Sequence, residues 1–324
     1  MPKISVLMTT YNGEKYVHKQ IESIYRQTRK PDEVVICDDR STDSTREIIQ
    51  RFIKEKSISN WNLYINKENL GWQNNFFQGT SMVEGDVIFF SDQDDIWHED
   101  KIMRMSELFV TNQMEGLYCG RRIIDGNDNL IPKRKEKSRH KAFLERVSFS
   151  PGFYSIRTLG CCECVSRKVI DMYRKIDMPE CGHDSQCGQI ALLLGSLWYL
   201  NEELIDYRMH GSNSSGVSAK VSYGQSNLER RISDIDNSAR WIKQILKMGM
   251  VPFDLVEQLK LSYSCARNRV KYLRGEDGAN VFDLLRNRSG YQNTTALIGD
   301  IAYRHGINVK LGGMRWKINK MIGV

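Results

Sequence analysis

Three carboxylates lie within four residues, Asp92-Gln93-Asp94-Asp95, directly after the apolar segment Asp86–Phe90. Carboxylates this close repel one another unless a cation or hydrogen-bond donors offset their charge. Oxygen ligands at the end of a buried strand suit magnesium or manganese, which bind substrate phosphates through one or two carboxylates. The alternative is an acidic turn that caps the helix beginning near Glu99. The direct connection to an apolar segment favours a metal site that binds a diphosphate.

A second acidic pair, Asp38 and Asp39, follows the apolar segment Glu33–Cys37. A carboxylate in this position can accept a hydrogen bond from a pyrimidine N–H or from a ribose hydroxyl. The alternative is a cap at the start of the next helix, with Ser41 and Asp43 in the same turn. Considered together with the first acidic cluster, the pair favours nucleotide binding.

The elements that must position these residues alternate between strand and helix. Apolar segments predict strands at 3–10, 33–37, 63–66 and 86–90, and apolar residues at 3–4 spacing predict helices between them. One of these helices opens with the capping-box pattern Ser44-x-x-Glu47. The order predicts a mostly parallel sheet covered by helices on both faces, an α/β fold.

Ligands of open α/β sheets bind at the carboxyl edge of the strands. The polar segments Thr10–Asn12, Asp38–Asp39 and Asp92–Asp95 each follow a predicted strand. We therefore expect these three segments to meet at one edge of the sheet and to form the ligand site.

The later part of the chain has a different pattern. Residues 116–216 are less regular and contain a basic run, 133–141, a short helix around 184–194 and a strand at 197–200. Beyond Gly216, apolar residues keep 3–4 spacing in two stretches that are separated by a Gly and a Pro. This pattern predicts an αα-hairpin.

Composition excludes several classes of protein. The chain has 324 residues, of which 40% are hydrophobic and 27% are charged, so it is not disordered, collagen-like or a coiled-coil rod. The longest nearly apolar run, 190–200, is shorter than the roughly 20 residues that span a bilayer. No secretory signal pattern opens the sequence, and the 8 cysteines are expected to be free thiols. These features predict a soluble, cytoplasmic protein.

Positive charge is concentrated in the last third of the chain. From Lys220 onwards there are 18 Lys and Arg against 9 Asp and Glu, and before it 29 against 31. The basic region predicts either an anionic partner or a solvated helical surface. The segment 315–322 mixes basic and apolar residues as interfacial helices do, which suggests a peripheral contact with the inner face of the plasma membrane. We expect no nucleic-acid partner, because no recognition motif is present.

Residues 4–49 and 69–102 resemble glycosyltransferase family 2, whose members have the GT-A fold. The segments TYNGEKY (10–16) and SDQDDIW (91–97) resemble the branch of bacterial rhamnosyltransferases that build cell-wall and capsular polysaccharides, as does the later segment 207–216. Further motifs contribute to the resemblance, namely Asp38–Asp43, Asn69–Gly71, Asn75-Phe76 and Gly85-Asp86. The resemblance covers about two thirds of the chain.

The resemblance implies a GT-A catalytic domain over 1–216 and a helical C-terminal region over 217–324. Within the catalytic domain, 1–115 would be the nucleotide-binding half and 116–216 the acceptor-binding half. Asp184, in the segment Gly182–Ser185, would be the catalytic base, and Asp94 and His210 would bind the metal. The residues implied for the nucleotide-sugar donor are Thr10, Tyr11, Asn12, Glu14, Asp38, Asp39, Asn69, Asn75 and Asp92. Arg40 stands where the family usually has a glycine, so the contacts of that turn are expected to differ.

The function implied is an inverting, metal-dependent glycosyltransferase. A carboxylate base deprotonates the acceptor hydroxyl, and Mn²⁺ or Mg²⁺ neutralises the leaving nucleoside diphosphate. By resemblance the donor is dTDP-L-rhamnose, with UDP-hexoses left open, and the acceptor is a growing surface polysaccharide or a lipid-linked saccharide. A nucleotidyltransferase is disfavoured, because the segment Thr9–Gly13 holds one glycine and no arginine. Packing of the αα-hairpin against a second subunit, in a homodimer, remains open.

The segment 161–187 concentrates cysteines and one histidine, and two interpretations are open. The residues are Cys161, Cys162, Cys164, Cys181, His183 and Cys187. They could bind zinc, or they could be small buried thiols beside the acceptor site. We expect the second.

Overall fold

The computed structural model describes residues 2–132, 142–149, 158–210, 225–291 and 294–304. The chain divides into two compact units. One comprises 1–148 with 156–218, and the other comprises 149–155 with 219–324. The basic run 133–141, the segment 211–216 and the segment 315–322 lie outside the described residues, so the expectations for them stay predictions.

The first unit is built on one sheet of nine strands in the described part of the chain. Their order across the sheet is β3-β2-β1-β4-β8-β6-β9-β5, and β7 pairs with β9. The strands are β1 (Ile4–Thr10), β2 (Glu33–Asp38), β3 (Trp61–Ile65), β4 (Val87–Ser91), β5 (Ile96–Trp97), β6 (Gly116–Ile124), β7 (Leu144–Arg146), β8 (Glu163–Ser166) and β9 (Leu197–Arg208).

Helices cover this sheet and connect its strands. They are α1 (Val17–Tyr25), α2 (Thr45–Glu55), α3 (Trp72–Gly79), α4 (Lys101–Thr111), α5 (Arg167–Ile176) and α6 (His183–Leu193). Short 3₁₀ turns lie at Gly160–Cys162 and Pro179–Cys181. The apolar residues of β1, β2 and β4 are almost completely buried, as expected for strands that have helices on both faces.

The predicted βαβαβαβ half is confirmed, because β1 pairs in parallel with β2 and β4, and β2 with β3. The remainder of the sheet is mixed. Strand β8 is antiparallel to both β4 and β6, whereas β6 and β9 are parallel. The strand predicted at 197–200 extends to Arg208. This extension returns the chain to the edge of the sheet where β4 ends.

The capping box predicted at Ser44-x-x-Glu47 is wrong. The side chain of Ser44 makes no cap hydrogen bond, and its backbone N–H instead donates to Glu14 Oε2 at 2.9 Å. Asp43 takes over the local role, because its Oδ1 accepts from the N–H of Thr45 at 3.0 Å. Competition from a neighbouring Asp, which sequence spacing alone does not resolve, explains the difference.

The second unit is helical, and its first two helices form the predicted αα-hairpin. Its helices are α7 (Gln225–Met248), α8 (Phe253–Arg274), α9 (Val281–Arg286) and α10 (Thr294–Arg304). Ile235 and Ala239 of α7 pack with Ala266 and Val270 of α8 in a small apolar core. Among the described residues, no helix has both the length and the hydrophobicity needed to cross a membrane.

One buried carboxylate ties the helices of this unit together. Asp300 of α10 is completely buried and accepts hydrogen bonds from Arg231 Nε at 2.7 Å, Arg269 Nε at 2.7 Å and Tyr291 Oη at 2.8 Å. Two helices and the segment before α10 therefore converge on one side chain. Such a network is costly to break, because removing the anion leaves the buried Arg269 without compensation.

We predict that Asp300→Ala lowers the free energy of unfolding of the helical unit by about 3–5 kcal/mol. The measurement is denaturant unfolding followed by far-ultraviolet circular dichroism. The matched control is Asp236→Ala, whose ion pair with Arg267 at 2.9 Å is partly exposed and should be worth no more than about 1 kcal/mol. If the two substitutions lowered the free energy of unfolding equally, Asp300 would not be the residue that holds these helices together.

Candidate active site

The predicted convergence of polar segments at one sheet edge is observed. Strands β1, β2 and β4 run parallel and end at Thr10, Asp38 and Ser91, with Thr10 opposite Asp38 and Met8 opposite Ser91. The residues that follow them, Tyr11, Asp39 and Asp92, therefore start from the same edge. This edge is where open α/β sheets bind ligands.

In the acidic cluster that follows β4, the charged forms of two carboxylates are disfavoured. Burial, reinforced by the charges of Asp94 and Asp184, raises the pKa of Asp92. Burial and the charges of Asp94 and Asp92 likewise raise the pKa of Asp95, whose Oδ2 atom is buried without a hydrogen-bond partner in the described part of the chain. Both shifts disfavour the charged forms, so added positive charge would stabilise the cluster.

One internal cation already offsets part of this charge. Lys101, at the start of α4, is completely buried, with its Nζ atom 3.9 Å from the centre of the Trp97 ring and hydrogen-bonded to the carbonyl of Cys161. Its charge acts to lower the pKa of Asp92, but less strongly than burial and the neighbouring carboxylates raise it. The sequence analysis missed Lys101, because a lysine at the start of a helix normally indicates an exposed residue.

His210 lies beside Asp94, 116 residues away in sequence, with 2.7 Å between His210 Nε2 and Asp94 Oδ2. The imidazole packs on the ring of Tyr16 at 4.9 Å between centroids. The structure thus brings together the two residues that the sequence analysis paired as metal ligands.

Arg208, at the end of β9, holds this arrangement in place. Its side chain is buried, and its Nε donates to the carbonyl of Asp94 at 2.6 Å, while its backbone N–H donates to Asp95 Oδ1 at 2.9 Å. The guanidinium also lies over the ring of Tyr16 at 4.6 Å and pairs with Asp128. Strand β9 therefore fixes both the acidic loop and the residue two positions later, His210.

The donor set around Asp94 fits a divalent cation. Two adjacent ligands of an octahedral Mg²⁺, each at about 2.1 Å from the ion, are roughly 3 Å apart, and Asp94 Oδ2 and His210 Nε2 are 2.7 Å apart. Asp92, Asp95 and Cys161 form a second group whose ligand atoms lie within 4.8 Å of one another. The oxygen-rich chemistry of Asp92 and Asp94 suits Mg²⁺ or Mn²⁺.

Gln93, between the two aspartates, braces the loop against β1. Its Oε1 accepts from the N–H of Tyr11 at 2.8 Å and its Nε2 donates to the carbonyl of Tyr11 at 2.9 Å. A methyl group built on Gly13 would stand 2.2 Å from Gln93 Oε1, so this contact requires a glycine at 13. The sequence analysis missed Gln93, although its position in the acidic run was a signal.

Asp38 is turned into the protein. It is completely buried, and it accepts hydrogen bonds from Thr10 Oγ1 at 2.8 Å, Ser41 N at 2.8 Å and Ser41 Oγ at 2.6 Å. Asp38 thus closes the turn that follows β2 and does not cap α2, which begins at Thr45, and its assignment to the donor stays a prediction. Thr10 is likewise buried, with its hydroxyl committed to Asp38.

Asp39 organises the start of α3. Its two oxygens accept from the N–H groups of Leu70 and Gly71, at 2.8 and 2.9 Å, and from Asn66 Nδ2 at 2.9 Å. Asn66 Nδ2 also donates to the buried Asn75, at 2.9 Å. Asn69 lies in the same turn, where its Oδ1 accepts from Gly71 N at 3.1 Å.

Tyr11, Asn12 and Glu14 are exposed at the same edge. Asn12 Oδ1 accepts from the N–H of Thr42 at 2.8 Å, and Glu14 accepts from Ser44, so both residues tie the β1–α1 loop to the β2–α2 turn. Tyr11 is the exposed aromatic ring of this loop. The assignment of these residues to the nucleotide sugar remains a prediction.

Arg40 has a φ of 64°, in the left-handed region that costs a non-glycine residue roughly 1–2 kcal/mol. A glycine adopts this conformation without that cost. The expectation that the contacts of this turn differ from those of the family stays a prediction.

Asp184 lies in the first turn of α6, across from the acidic loop. After burial and the charge of Asp94, the negative charge of Asp184 also raises the pKa of Asp92, so Asp184 lies within electrostatic reach of the acidic loop. Asp184 Oδ1 accepts from Ser185 N at 2.7 Å. Gly182, immediately before the helix, has a φ of 77°, which favours glycine. The structure brings Asp184 to the cluster, as the sequence analysis expected.

Glu163 of β8 is a buried carboxyl beneath Asp184 that the sequence analysis missed. Thr158 Oγ1 lies 2.7 Å from the carbonyl oxygen of Asp184 and 3.1 Å from Glu163 Oε2. A carbonyl only accepts, and a hydroxyl has one proton, so Thr158 donates to Asp184. The remaining contact, between Thr158 Oγ1 and Glu163 Oε2, would be a hydrogen bond donated by Glu163 when that carboxyl is protonated. Burial, with the charge of Asp184 nearby, raises the pKa of Glu163 well above its usual range, in agreement with a neutral acid.

The cysteine-rich segment contributes buried thiols. Cys161, Cys162, Cys164 and Cys187 are buried free thiols, whereas Cys181 is partly exposed. His183 lies among aromatic rings, 3.8 Å from the centre of Phe76, and burial lowers its pKa to about 3. His183 is therefore a neutral core residue.

Comparisons with known proteins agree with this architecture. The family model described as glycosyl transferase family 2 matches residues 5–171. An uncharacterised glycosyltransferase of Nostoc is 29% identical over 226 residues, 69% of this chain and 70% of its own length. The dTDP-rhamnosyl transferase RfbG of Shigella flexneri is 29% identical over 240 residues, 69% of this chain and 79% of its own length.

A solved structure shares the fold along most of the chain. S. aureus TarS (residues 1–349), in complex with UDP, superposes with a TM-score of 0.55 at 18% identity and covers 94% of this chain and 92% of its own. The chain therefore has the GT-A fold, with helices following the catalytic domain.

The raised pKa of Glu163 predicts a pH-dependent gain in stability for Glu163→Gln. Because the folded pKa is raised, Glu163 binds a proton in the folded state that it loses in the unfolded state above about pH 4.3. The contribution of Glu163 to the stability is therefore largest below that pH and falls as the pH rises towards the raised pKa, by up to about 1.4 kcal/mol per pH unit. Glutamine keeps the donor to Thr158 and has no proton to lose.

The measurement is urea unfolding of wild type and Glu163→Gln between pH 4 and pH 8. We expect a stability difference that is small at pH 4 and grows with pH in favour of the variant. The control is Glu107→Gln, on the exposed face of α4, for which we expect no such growth. A Glu163→Gln difference that is constant over this range would show that Glu163 is not a neutral acid.

Proposed function

The chain belongs to glycosyltransferase family 2, and on that basis we propose that it transfers a sugar from a nucleoside diphosphate to an acceptor hydroxyl with inversion, with the help of a divalent cation. The donor that we propose is dTDP-L-rhamnose, supported by the relative named a dTDP-rhamnosyl transferase. The proposed acceptor is a saccharide of a growing surface polysaccharide or a lipid-linked saccharide.

One observation supports this function most strongly. Carboxylates from two elements, the end of β4 and the start of α6, lie within electrostatic reach of each other, because Asp184 adds to burial and to Asp94 in raising the pKa of Asp92. Glycosyl transfer needs two such elements, a group that stabilises the leaving diphosphate and a base for the acceptor. Repulsion between the two sets is the cost of placing them together, and a bound cation would reduce it.

Asp94 and His210 would hold the cation, with Asp92 beside them. When bound, the cation neutralises the charge that develops on the leaving diphosphate. The protein's part is to keep these ligands in place. Arg208 does so through the carbonyl of Asp94, and Gln93 does so through the backbone of Tyr11.

Asp184 is the proposed base. As the acceptor oxygen forms its bond to the anomeric carbon, the bond from that carbon to the diphosphate oxygen breaks, and the hydroxyl proton passes to the Asp184 carboxylate. A single displacement of this kind inverts the anomeric centre. Burial raises the pKa of the neighbouring Glu163, which disfavours its charged form, so Glu163 is not the proposed base.

A UDP-hexose is the second candidate donor. It is supported by the shared fold with a protein whose structure contains UDP. The two donors differ in base and sugar, and the pocket residues Tyr11, Asn12 and Glu14 are those that would contact the nucleotide.

We predict that the donor nucleotide stabilises the protein only together with a divalent cation. The measurement is a thermal-shift titration with dTDP, UDP and GDP, each with and without Mn²⁺. Stabilisation should reach about 2.7 kcal/mol at a hundredfold excess over the dissociation constant. Asp94→Ala should abolish the Mn²⁺-dependent part, whereas the exposed Asp171→Ala on α5 should retain it. A shift that is independent of the cation in the wild type would contradict metal dependence.

We predict that Asp184→Asn lowers kcat for sugar transfer by about 10²–10⁴-fold and leaves the nucleotide-induced thermal shift unchanged. Asparagine keeps the hydrogen bond from Ser185 N to Oδ1, so the start of α6 should stay folded. Steady-state kinetics with the best donor of the titration provides the measurement. A variant that keeps most of its kcat would rule out Asp184 as the base.

A further inference from the structure

A large aromatic side chain is exposed beside the proposed base. Trp72, the first residue of α3, is 39% exposed. Phe76, one turn later on the same face of the helix, is buried and stacks on His183. The helix therefore anchors its apolar face in the core with Phe76 and carries Trp72 beyond the edge of that core.

Gly182 joins Trp72 to the base. A methyl group built on Gly182 would stand 3.1 Å from Asp184 Oδ1 and 3.2 Å from Trp72 Cη2. The tip of the indole and the carboxylate oxygen are thus both within about 3.2 Å of the same point. The lack of a side chain at 182 leaves this space open, and the φ of 77° keeps it reserved for glycine.

The other side of Trp72 is fixed by the proposed donor site. Asp39 accepts hydrogen bonds from the N–H groups of Leu70 and Gly71, the two residues that precede Trp72. The start of α3 is therefore held by one acidic residue, while the indole reaches a second one, Asp184. A single exposed tryptophan is common on protein surfaces and needs no explanation. The exposure of Trp72 is different, because its backbone is held by Asp39 and its indole lies near Asp184.

We propose that Trp72 and the space above Gly182 form the subsite for the acceptor sugar, with the indole stacked on the apolar C–H face of a pyranose ring whose hydroxyl points at Asp184. The inference rests on the proposed function, since it takes Asp184 as the base. A flat aromatic surface beside a carboxylate matches a sugar ring, which has an apolar face and hydroxyls at its rim. Burying that face removes apolar surface from water, and the rigid indole loses little entropy in doing so.

The experiment measures binding rather than turnover. Methyl α-L-rhamnopyranoside and methyl β-D-glucopyranoside are the ring probes, and glycerol is the acyclic polyol without a stacking face. Saturation-transfer NMR titrations use the full chain with dTDP and Mn²⁺ present. For at least one pyranoside we expect binding to the wild type, with saturation strongest at its ring C–H protons, and no comparable signal for glycerol.

The variants separate stacking from folding. Trp72→Ala should weaken binding of that pyranoside about tenfold or more, whereas Trp72→Phe, which keeps a flat ring, should retain most of it. The control is Phe253→Ala, which removes a 95% exposed aromatic of the helical unit. The dTDP-induced thermal shift should be the same in all of these proteins.

Two results would overturn the proposal: binding of the pyranosides that is unchanged in Trp72→Ala, or no pyranoside binding by the wild type. Loss of the dTDP shift in Trp72→Ala would instead assign the indole to the donor. Failure of the proposed function is recognised separately, because the wild type would then show no nucleotide-induced shift at all.

Discussion

Repulsion between carboxylates is the constraint on which the rest of the site depends. Asp92, Asp94 and Asp95 leave the sheet within four residues, and Asp184 faces them from the start of α6. Burial, reinforced by the charges of neighbouring carboxylates, raises the pKa of Asp92 and of Asp95. Two residues stabilise this arrangement. Lys101 provides a buried positive charge next to the cluster, and Arg208 donates a hydrogen bond to the carbonyl of Asp94. A neutral Glu163 avoids adding a further charge.

The acids at this edge of the sheet differ in their protein partners. Asp38 and Asp39 accept hydrogen bonds that shape the turns after β2 and before α3, and their assignment to the donor stays a prediction. Asp92, Asp94 and Asp184 instead gather where charge is left to be balanced. Asp300, in the helical unit, shows the contrasting case, in which a buried carboxylate is balanced by two arginines and a tyrosine.

The sequence predicted the elements that depend on local pattern. Apolar segments followed by polar residues identified β1, β2 and β4 and the edge at which they end, and 3–4 spacing identified the αα-hairpin. The family resemblance supplied Asp184 and His210, which the structure places at the acidic cluster. The division of the chain at residue 216, and of its first part at 115, stays a prediction.

What the sequence did not reveal depends on contacts between distant residues. Arg208 donates a hydrogen bond to Asp94, which lies 114 positions earlier in the sequence. The contact between Thr158 and Glu163 can be interpreted only when the nearby carbonyl of Asp184 is known. Lys101 and Glu163 have ionisable side chains, which are usually exposed. The sequence around each of them does not predict that it is buried. Trp72 lies in one of the helices predicted between the strands, but its position near Asp184 depends on Gly182, which lies 110 residues further along the chain.

The central claim is that Asp184 acts as a base in a single displacement across the acidic cluster. The anomeric configuration of the product tests it most directly. Proton NMR of the first product formed from a donor of known configuration distinguishes the two outcomes. Our account predicts an inverted anomeric centre. Retention would mean that a carboxylate attacks the sugar itself, and it would contradict the role of Asp184.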